Sequence, residues 1–155
     1  MALAPFDRTP PTVARAMLKL AGLRQGERLL DVGCGDGVIV AEAAKLGAVA
    51  VGVDIEGRLV RQAWERCAKL GLLSRVHLVV GDYKAVKSWE FNVITLYLTT
   101  RGNIAVLEDI LSQPSPTGQL RIVTHDFGLP MLEPVRVREF GYRRFDRRTL
   151  YLYTI

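Results

Sequence analysis

Short apolar stretches alternate along this chain with longer segments in which apolar residues recur at helical spacing. A short apolar stretch between turn residues is typical of a buried strand, whereas apolar residues three and four positions apart are typical of a helix. The predicted strands cover residues 28–32, 48–53, 76–80, 91–98 and 120–124. The predicted helices start at the Thr9-Pro10-Pro11-Thr12 segment, at Val38, at Gly57 and at Asn103, the last with Asn103 as its N-cap.

Strands and helices alternate up to residue 124, which is the pattern of an α/β domain with a mostly parallel sheet. Two further stretches, residues 135–142 and 150–155, predict an antiparallel strand pair that completes a seven-stranded sheet. We therefore expect a Rossmann-like, doubly wound α/β fold, with residues 1–155 as one domain. Ligands of such sheets bind outside the carboxyl ends of the strands.

The first predicted strand ends in a loop with three glycines at alternate positions. Asp31 closes the apolar stretch, and Gly33, Gly35 and Gly37 follow it. Glycines in such a loop let the backbone approach a ligand closely. A dinucleotide-binding fingerprint places its third glycine three residues after the second, whereas the interval here is two. Together with Asp31, this spacing resembles motif I of the class I S-adenosylmethionine-dependent methyltransferases.

The next two predicted strands also end in acidic residues. Asp54 lies about twenty residues after the first glycine, where a doubly wound fold holds the carboxylate that binds ribose hydroxyls. The alternative is that Asp54 caps the following helix, with Glu56 as a competitor for either role. Asp82 follows the third strand in a Gly-Asp pair, which alone indicates only a turn. Three acidic strand ends in succession favour one ligand site.

The class I resemblance implies S-adenosyl-L-methionine as the cofactor. Its methionine portion would lie over the glycines, with Asp31 facing the ammonium group, and Asp82 would lie against the adenine amino group. The resemblance also implies that a helix within residues 1–25 covers this site. The implied cofactor-binding residues are Thr9, Asp31, Gly33, Cys34, Gly35, Asp54, Ile55, Asp82, Tyr83 and Leu96.

Four further segments carry a recognisable pattern: residues 6–10, 95–103, 122–127 and 150–153. They resemble the small protein-lysine methyltransferases of archaea and the mitochondrial enzymes that modify lysines of ATP synthase subunit c. That group commonly has a Leu-Leu pair where this chain has Leu98-Thr99-Thr100, and a more basic stretch where this chain has Ala-Val-Leu-Glu-Asp at 105–109. The resemblance implies methyl transfer to lysine side chains of proteins.

Methyl transfer to lysine is an in-line displacement that depends on positioning and on loss of the amine's proton. The ordinary lysine pKa is about 10.4, and desolvation beside a positive sulfonium lowers it. The resemblance places Tyr97 at the transfer site, and we expect Asp126 with His125 to orient the amine or to accept its proton through water. The alternative is that His125 and Asp126 make only structural hydrogen bonds. His77 is expected to be a strand-face or packed histidine and not a ligand.

The net charge is +5, and six arginines lie among three aromatic residues near the C-terminus. Such a segment can contact phosphates and stack bases. The alternation of Val135 and Val137, and of the later Leu150 and Leu152, instead favours half-buried strands with basic outer faces. The residues concerned are Arg136, Arg138, Phe140, Tyr142, Arg143, Arg144, Phe145, Arg147 and Arg148.

Composition argues against disulfide bonds, a metal site and membrane or secretory targeting. The two isolated cysteines, Cys34 and Cys67, indicate reduced thiols, and two histidines without ligand spacing argue against a metal site. No apolar run reaches the roughly 20 residues that span a bilayer, and the N-terminus lacks the pattern of a signal peptide. We therefore expect a cytoplasmic protein without membrane insertion.

The expected function is protein-lysine methylation, with three alternatives left open. One is an RNA methyltransferase that uses the Arg-rich segment, although the fourth strand lacks the Asn-Pro-Pro-Tyr or Asp-Pro-Pro-Tyr motif of base-amine enzymes. Another is a small-molecule methyltransferase, although no insertion is long enough for a substantial lid. The third, from a different class, is a cofactor-binding module without catalysis.

Overall fold

A mixed sheet organises the described part of the chain, which in this computed structural model comprises residues 7–114, 118–141 and 147–155. The strands there are β1 (Arg28–Val32), β2 (Val49–Asp54), β3 (Val76–Val80), β4 (Val93–Leu96), β5 (Arg121–His125), β6 (Arg136–Phe140) and β7 (Arg148–Thr154). The α-helices there are α1 (Pro11–Ala21), α2 (Val38–Lys45), α3 (Gly57–Lys69) and α4 (Thr100–Leu111).

The strand order is β3-β2-β1-β4-β5-β7-β6. Neighbouring strands from β3 to β5 are parallel, whereas β7 pairs antiparallel with both β5 and β6. The order reverses between β1 and β4, so a crevice opens at that switch beyond the carboxyl ends of the strands. The predicted doubly wound α/β fold with an antiparallel C-terminal pair is confirmed.

Helices cover both faces of the sheet. Leu29 of β1 belongs to the same core cluster as Met17 of α1, whereas the next residue, Leu30, belongs to the cluster that contains Leu107 of α4. Alternation of side chains along a strand produces this division between the two faces. Because β1 is buried on both faces, the carboxylate of Asp31 occupies a buried position at its end.

The N-terminus of α4 differs from the prediction. Thr99 and not Asn103 is its N-cap, since the Thr99 hydroxyl accepts a hydrogen bond from the Gly102 backbone N–H at 3.1 Å. Asn103 lies inside the helix and is fully buried, and its side-chain amide donates to the Phe127 carbonyl at 2.7 Å. The Asn103 amide is therefore used for a tertiary contact, which its local sequence did not indicate.

Strand β4 is shorter than the predicted stretch of residues 91–98. Its ladder with β1 ends at the pair of Val32 and Leu96. The chain then leaves the sheet, so Tyr97 and Leu98 lie beyond its carboxyl edge. Both residues consequently reach the crevice at the topological switch.

The edge strand β6 is not half-buried, contrary to the prediction from alternation. Val137, Arg136 and Arg138 are all exposed, as is Val135 just before the strand. Within the described residues β6 pairs only with β7 and lies outermost in the sheet, so most of the strand is exposed and Phe140 at its end packs partly against the core. Some residues of the predicted patterns lie outside the described residues, namely Phe6, Tyr142, Arg143, Arg144 and Phe145.

Several smaller expectations can be compared with the structure. Cys34 and Cys67 are both free and buried, as predicted for reduced thiols. His77 is exposed on β3, as predicted for a strand-face residue. None of the described helices is long and apolar enough to cross a bilayer. A search of the same residues finds no group of three or more side chains suited to holding a metal ion.

Candidate active site

The loop between β1 and α2 has a backbone conformation that favours glycine. Gly33 has a φ of 74° and Gly37 a φ of 85°, both in the left-handed region. A Cβ at Gly37 would lie 2.6 Å from the Cβ of Ala63, so this glycine also permits close packing against α3. The Gly33 N–H donates to the Val53 carbonyl at 2.8 Å. The loop is thus tied to the neighbouring strand and packed against a helix.

A cavity of about 620 Å³ opens at the carboxyl ends of β1 to β4. This volume is in the range of small-ligand sites. Its wall contains Tyr97 and every implied cofactor-binding residue except Leu96. The cofactor-binding residues in the wall are Thr9, Asp31, Gly33, Cys34, Gly35, Asp54, Ile55, Asp82 and Tyr83.

Asp31 is a buried carboxylate in this wall. The Thr95 hydroxyl donates to its Oδ1 atom at 2.8 Å across the pairing of β1 with β4. Burial raises the pKa of Asp31 to about 7, an effect that the Thr95 hydrogen bond opposes and the nearby Asp54 carboxylate reinforces. A cationic ligand would stabilise the ionised form, because its charge offsets the cost of burying the carboxylate.

Asp54 joins the glycine loop to the end of β2. Its Oδ2 atom accepts from the Gly35 N–H and its Oδ1 atom from the Glu56 N–H, both at 2.9 Å. The alternative that Asp54 caps α3 is wrong, because Glu56 is the N-cap residue and a capping side chain bonds N–H groups inside the first turn. Asp54 is half-buried, and two main-chain amides hold it at the cavity wall.

Asp82 and Tyr83 form the part of the wall that follows β3. The Asp82 Oδ1 atom accepts from the Lys84 N–H at 2.9 Å, as in an Asx turn. The Tyr83 hydroxyl donates to Asp109 of α4, which also lines the cavity. Burial, followed by this hydrogen bond, raises the pKa of Tyr83. The Tyr83–Asp109 contact therefore connects two walls of the cavity.

Leu96 is the implied cofactor-binding residue that the structure does not bring to the cavity. It is fully buried in the core cluster that includes α4. Leu96, in the last ladder pair of β4, faces the core, whereas Leu98 lies past the end of the strand and lines the cavity. A Cβ on Gly33 would lie only 3.2 Å from Leu98 Cδ2. Of these two leucines, therefore, only Leu98 lines the cavity.

Tyr97 is the centre of a polar cluster at the exposed side of the cavity. Its hydroxyl donates to Asp7 Oδ2 at 2.6 Å and accepts from Arg148 Nη1 at 3.1 Å. The same Nη1 atom lies 3.3 Å from Oδ2 of Asp126. Burial, followed by the bond to Asp7, raises the pKa of Tyr97 to about 12, although Arg148 opposes the rise. Tyr97 is therefore protonated at neutral pH.

His125 lies behind Tyr97 and outside the cavity wall. The two rings are stacked with their centroids 3.9 Å apart, and His125 is fully buried. Burial lowers the pKa of His125 to about 4 despite the neighbouring Asp126 carboxylate, so the ring is neutral at physiological pH. Neither ring nitrogen has a hydrogen-bond partner among the described residues. His125 thus contacts the site through the Tyr97 ring.

Asp126 holds Arg148 in place. Its Oδ1 atom accepts from the Thr149 N–H at 3.0 Å, and its φ of 63° is left-handed for a residue with a side chain. Asp126 is also outside the cavity wall. Asp126 thus makes structural hydrogen bonds at the strand end, whereas His125 makes none through its ring among the described residues. That the two orient the amine or accept its proton through water stays a prediction.

The cavity wall is strongly acidic. Eight carboxylate residues line it, against two basic residues, Arg58 and Lys84, in the described part of the chain. One of the eight, Asp36, is neutralised by Arg8 at 2.8 Å and by Arg66 at 3.2 Å. The eight are Asp7, Asp31, Asp36, Asp54, Glu56, Asp82, Glu108 and Asp109. This charge distribution favours cationic ligands.

Two residues of the Tyr97 cluster were not predicted as site residues. Asp7 lies in the segment of residues 6–10, whose family pattern was recognised, but the segment has no periodicity or strand end that would mark this residue as part of a site. Arg148 appeared only as one of several arginines near the C-terminus. Their proximity to Tyr97 follows from the pairing of β7 with β5 and from the path of the chain before α1.

Comparison with known protein families and sequences identifies clear relatives of this chain. The family model described as the ANTKMT methyltransferase domain matches residues 31–136. A protein of Saccharolobus islandicus (strain REY15A) named protein-lysine N-methyltransferase is 35% identical over 153 residues, which cover 97% of this chain and 93% of that protein.

Solved structures share the fold. An RNA methyltransferase from Salinibacter ruber, crystallised in complex with S-adenosyl-L-homocysteine, superposes with a TM-score of 0.85 at 31% identity and covers 96% of this chain and 94% of that chain. An S-adenosylmethionine-dependent O-methyltransferase from Thermotoga maritima has a TM-score of 0.73 at 14% identity, covering 96% of this chain and 67% of that chain. The second likeness concerns the fold alone.

Proposed function

This chain belongs to the ANTKMT methyltransferase domain family and is an S-adenosylmethionine-dependent methyltransferase, and we propose that it methylates lysine side chains of proteins. The observation that carries the proposal is the acidic wall of the cavity that contains Tyr97. Such a wall favours a lysine ammonium group and disfavours a polyanion. The Saccharolobus relative, named a protein-lysine N-methyltransferase, supports the same acceptor class.

The residues in the cavity wall suit S-adenosyl-L-methionine, which supplies an electrophilic methyl group on a positively charged sulfur. We propose that Asp31 binds the ammonium group of its methionine portion, because burial makes that carboxylate responsive to a cation. Asp54 is proposed to bind the ribose hydroxyls, and Asp82 with Tyr83 the adenine. Gly33 leaves space that a side chain would fill against Leu98.

The contribution of this chain to methyl transfer is positioning and desolvation of the acceptor. Tyr97 stays protonated at neutral pH and does not serve as a base. Desolvation of the acceptor beside a positively charged sulfur lowers the pKa of its amine. The acceptor lysine then loses its proton to water without a dedicated base. The Tyr97 ring, stacked on His125, forms the surface against which the amine packs.

A second candidate function is methylation of RNA. It is favoured by the likeness to the Salinibacter ruber structure, which is described as an RNA methyltransferase. Arg136 and Arg138 are exposed on β6 and supply positive charge of the kind that contacts phosphates. Neither arginine is in the cavity wall, whose charge is opposite.

Labelled methyl transfer distinguishes the two acceptor classes. The purified enzyme is incubated with cell extract and methyl-labelled S-adenosylmethionine, and parallel samples are then treated with protease or with ribonuclease. We expect protease to release the label and ribonuclease to leave it in place. The Asp54→Ala variant serves as the control for background labelling. Label that only ribonuclease releases would favour the RNA candidate.

We also propose a cytoplasmic location and a single catalytic domain over residues 1–155. Cys34 and Cys67 are free and buried, as is typical of proteins in a reducing compartment. Fractionation of cells that express a tagged form of the protein tests the location. Recovery of the enzyme with the soluble cytoplasmic fraction is the expected result.

A further inference from the structure

The segment before α1 passes along the cavity and is tied to it by two side-chain contacts. Arg8 Nη2 lies 2.8 Å from Oδ2 of Asp36 in the glycine loop. Asp7 Oδ2 accepts from the Tyr97 hydroxyl at 2.6 Å. Thr9 between them and α1 is buried and, like Asp7, lines the cavity. The two contacts bring an otherwise irregular segment to the transfer site.

Among the residues that the structure describes, Asp7 differs from the other acidic groups near Tyr97 because it has no cationic partner. Asp126 is paired with Arg148 at 3.3 Å, and Asp36 is paired with Arg8 and Arg66. Asp7 makes its hydrogen bond to a neutral hydroxyl, and the described residues provide it with no ion pair. Because His125 is neutral, the group of Asp7, Asp126, Arg148 and His125 carries a net charge of about −1.

Asp7 and Asp31 lie at different depths of the cavity, so they suit different ligand groups. Asp31 is buried between β1 and β4 and bonded to Thr95, which suits the ammonium group of the cofactor. Asp7 is exposed, yet it lines the same cavity and contacts the tyrosine at the transfer site. A side chain that enters from solvent therefore meets Asp7 before it reaches the interior of the cavity.

We propose that Asp7 binds the ammonium group of the incoming acceptor lysine beside Tyr97, an inference that rests on the lysine acceptor proposed above. One positive charge on the acceptor neutralises the group around Tyr97. An ionised carboxylate has about four lone-pair sites, so Asp7 can accept from a lysine ammonium while it keeps its bond from the Tyr97 hydroxyl. Asp7 is thus an acceptor-binding residue that selects against anionic groups.

The Asp7→Asn variant tests this role because it keeps the size and hydrogen-bonding capacity of the side chain and removes its charge. With ribonuclease-treated extract protein as the acceptor, we expect the apparent KM for acceptor to rise about 10- to 100-fold, the range for loss of a charge-assisted hydrogen bond. Calorimetric affinity for S-adenosylhomocysteine is expected to change less than about twofold. Asp7→Glu should restore part of the acceptor affinity.

Two further variants separate the charge from other effects. Glu65→Gln removes an exposed negative charge on α3 and is expected to leave the KM unchanged. Arg8→Ala removes the ion pair with Asp36, which is the second contact between this segment and the cavity, and keeps the Asp7 carboxylate. If Arg8→Ala raised the KM as much as Asp7→Asn, the order of the segment and not the carboxylate would be responsible, and the inference would be overturned.

The outcomes also separate this inference from the proposed function. The parent enzyme could label lysine while the KM of Asp7→Asn for acceptor stays within about threefold of the parent value. That result would overturn the role of Asp7 and would still support the lysine acceptor. A loss of S-adenosylhomocysteine affinity in Asp7→Asn would assign the residue to the cofactor instead. Labelling of RNA by the parent enzyme would overturn both proposals.

Discussion

On the side of the cavity proposed to bind the cofactor, main-chain amides donate hydrogen bonds to the Asp54 side chain. Around Tyr97, by contrast, side chains from distant segments hydrogen-bond to one another. Asp54 receives the N–H groups of Gly35 and Glu56. Tyr97 contacts Asp7, which lies 90 positions earlier in the chain, and Arg148, which lies 51 positions later. The first arrangement depends on two adjacent strand ends, β1 with its glycine loop and β2, and the second on the assembly of the whole sheet.

This difference indicates that the two regions bind different kinds of ligand. A loop tied by its own backbone tolerates few changes, so it suits a ligand that is always the same. A cluster of side chains can change one residue at a time without disturbing the loop, so it suits an acceptor that differs between relatives. Substitutions on the cofactor side should therefore abolish binding, whereas substitutions around Tyr97 should alter acceptor use and turnover.

The largest effect is expected for Asp54→Ala. The change removes the carboxylate proposed to bind the ribose and also the acceptor for the Gly35 N–H. We expect affinity for S-adenosylmethionine to fall on the order of 100- to 1,000-fold, as for loss of several hydrogen bonds to a charged group. Isothermal titration calorimetry measures it, with circular dichroism to verify folding. Affinity within threefold of the parent value would contradict the assignment.

The pH dependence of cofactor binding should report on Asp31. Its pKa is about 7 in the free protein, and a bound ammonium group favours the ionised form. Affinity should therefore fall up to about tenfold per pH unit as the pH drops below 7, and level off above 7. Asp31→Asn should bind about 30- to 100-fold more weakly at pH 8 and lose this pH dependence. Titrations from pH 5.5 to 8.5 test both expectations.

The same substitution should stabilise the protein without cofactor. The pKa of Asp31 is higher in the folded state than its ordinary value of 3.8, so the free energy of unfolding decreases as the pH rises from about 4 to about 7. Asp31→Asn removes this cost and should raise the free energy of unfolding at pH 8 by about 2–4 kcal/mol. Denaturant titration measures the change, and a destabilised variant at pH 8 would contradict it.

Asp126→Asn should have a smaller effect, on turnover alone. The change weakens the hold on Arg148 but touches no residue of the cavity wall directly. We expect kcat to fall about 3- to 10-fold with an unchanged pH profile and an unchanged cofactor affinity. Glu139→Gln, on exposed β6, is a control for loss of charge. A loss beyond about 100-fold with a new pH dependence would make Asp126 a direct proton acceptor.

The same contrast explains what could be predicted from the sequence. Asp31, Gly33 and Asp54 lie in a continuous strand–loop–helix pattern whose spacing has a physical meaning, and the structure brings them to one cavity. Asp7 and Arg148 have no such pattern, because only tertiary pairing brings them to Tyr97.

The errors have similar causes. Leu96 was expected at the cavity, but it is still within β4 and faces the core, and the leucine that lines the cavity, Leu98, is two positions later, past the end of the strand. Asn103 has the chemistry of an N-cap, but Thr99 is closer to the strand end and takes that role. Alternation of apolar and polar residues predicted a half-buried β6, but it could not show that β6 is the outermost strand.

The smallest effect concerns the Cys34 thiol in the glycine loop. Burial, together with the charges of Asp31 and Asp54, raises its pKa well above the usual range. Because the thiolate is the reactive form, Cys34 should resist iodoacetamide at pH 8 in the native protein and react after denaturation. Mass spectrometry of the modified peptides measures this difference. Rapid native labelling of Cys34 would contradict the burial of the loop.

The most direct test of the lysine acceptor is to locate the transferred methyl group by mass spectrometry. Extract protein is incubated with the purified enzyme and S-adenosylmethionine that carries a deuterated methyl group, and the digested peptides are then sequenced. The acidic cavity predicts the label on lysine side-chain nitrogen, and its absence with Asp54→Ala. Label confined to RNA, or to another amino acid, would contradict the proposed function.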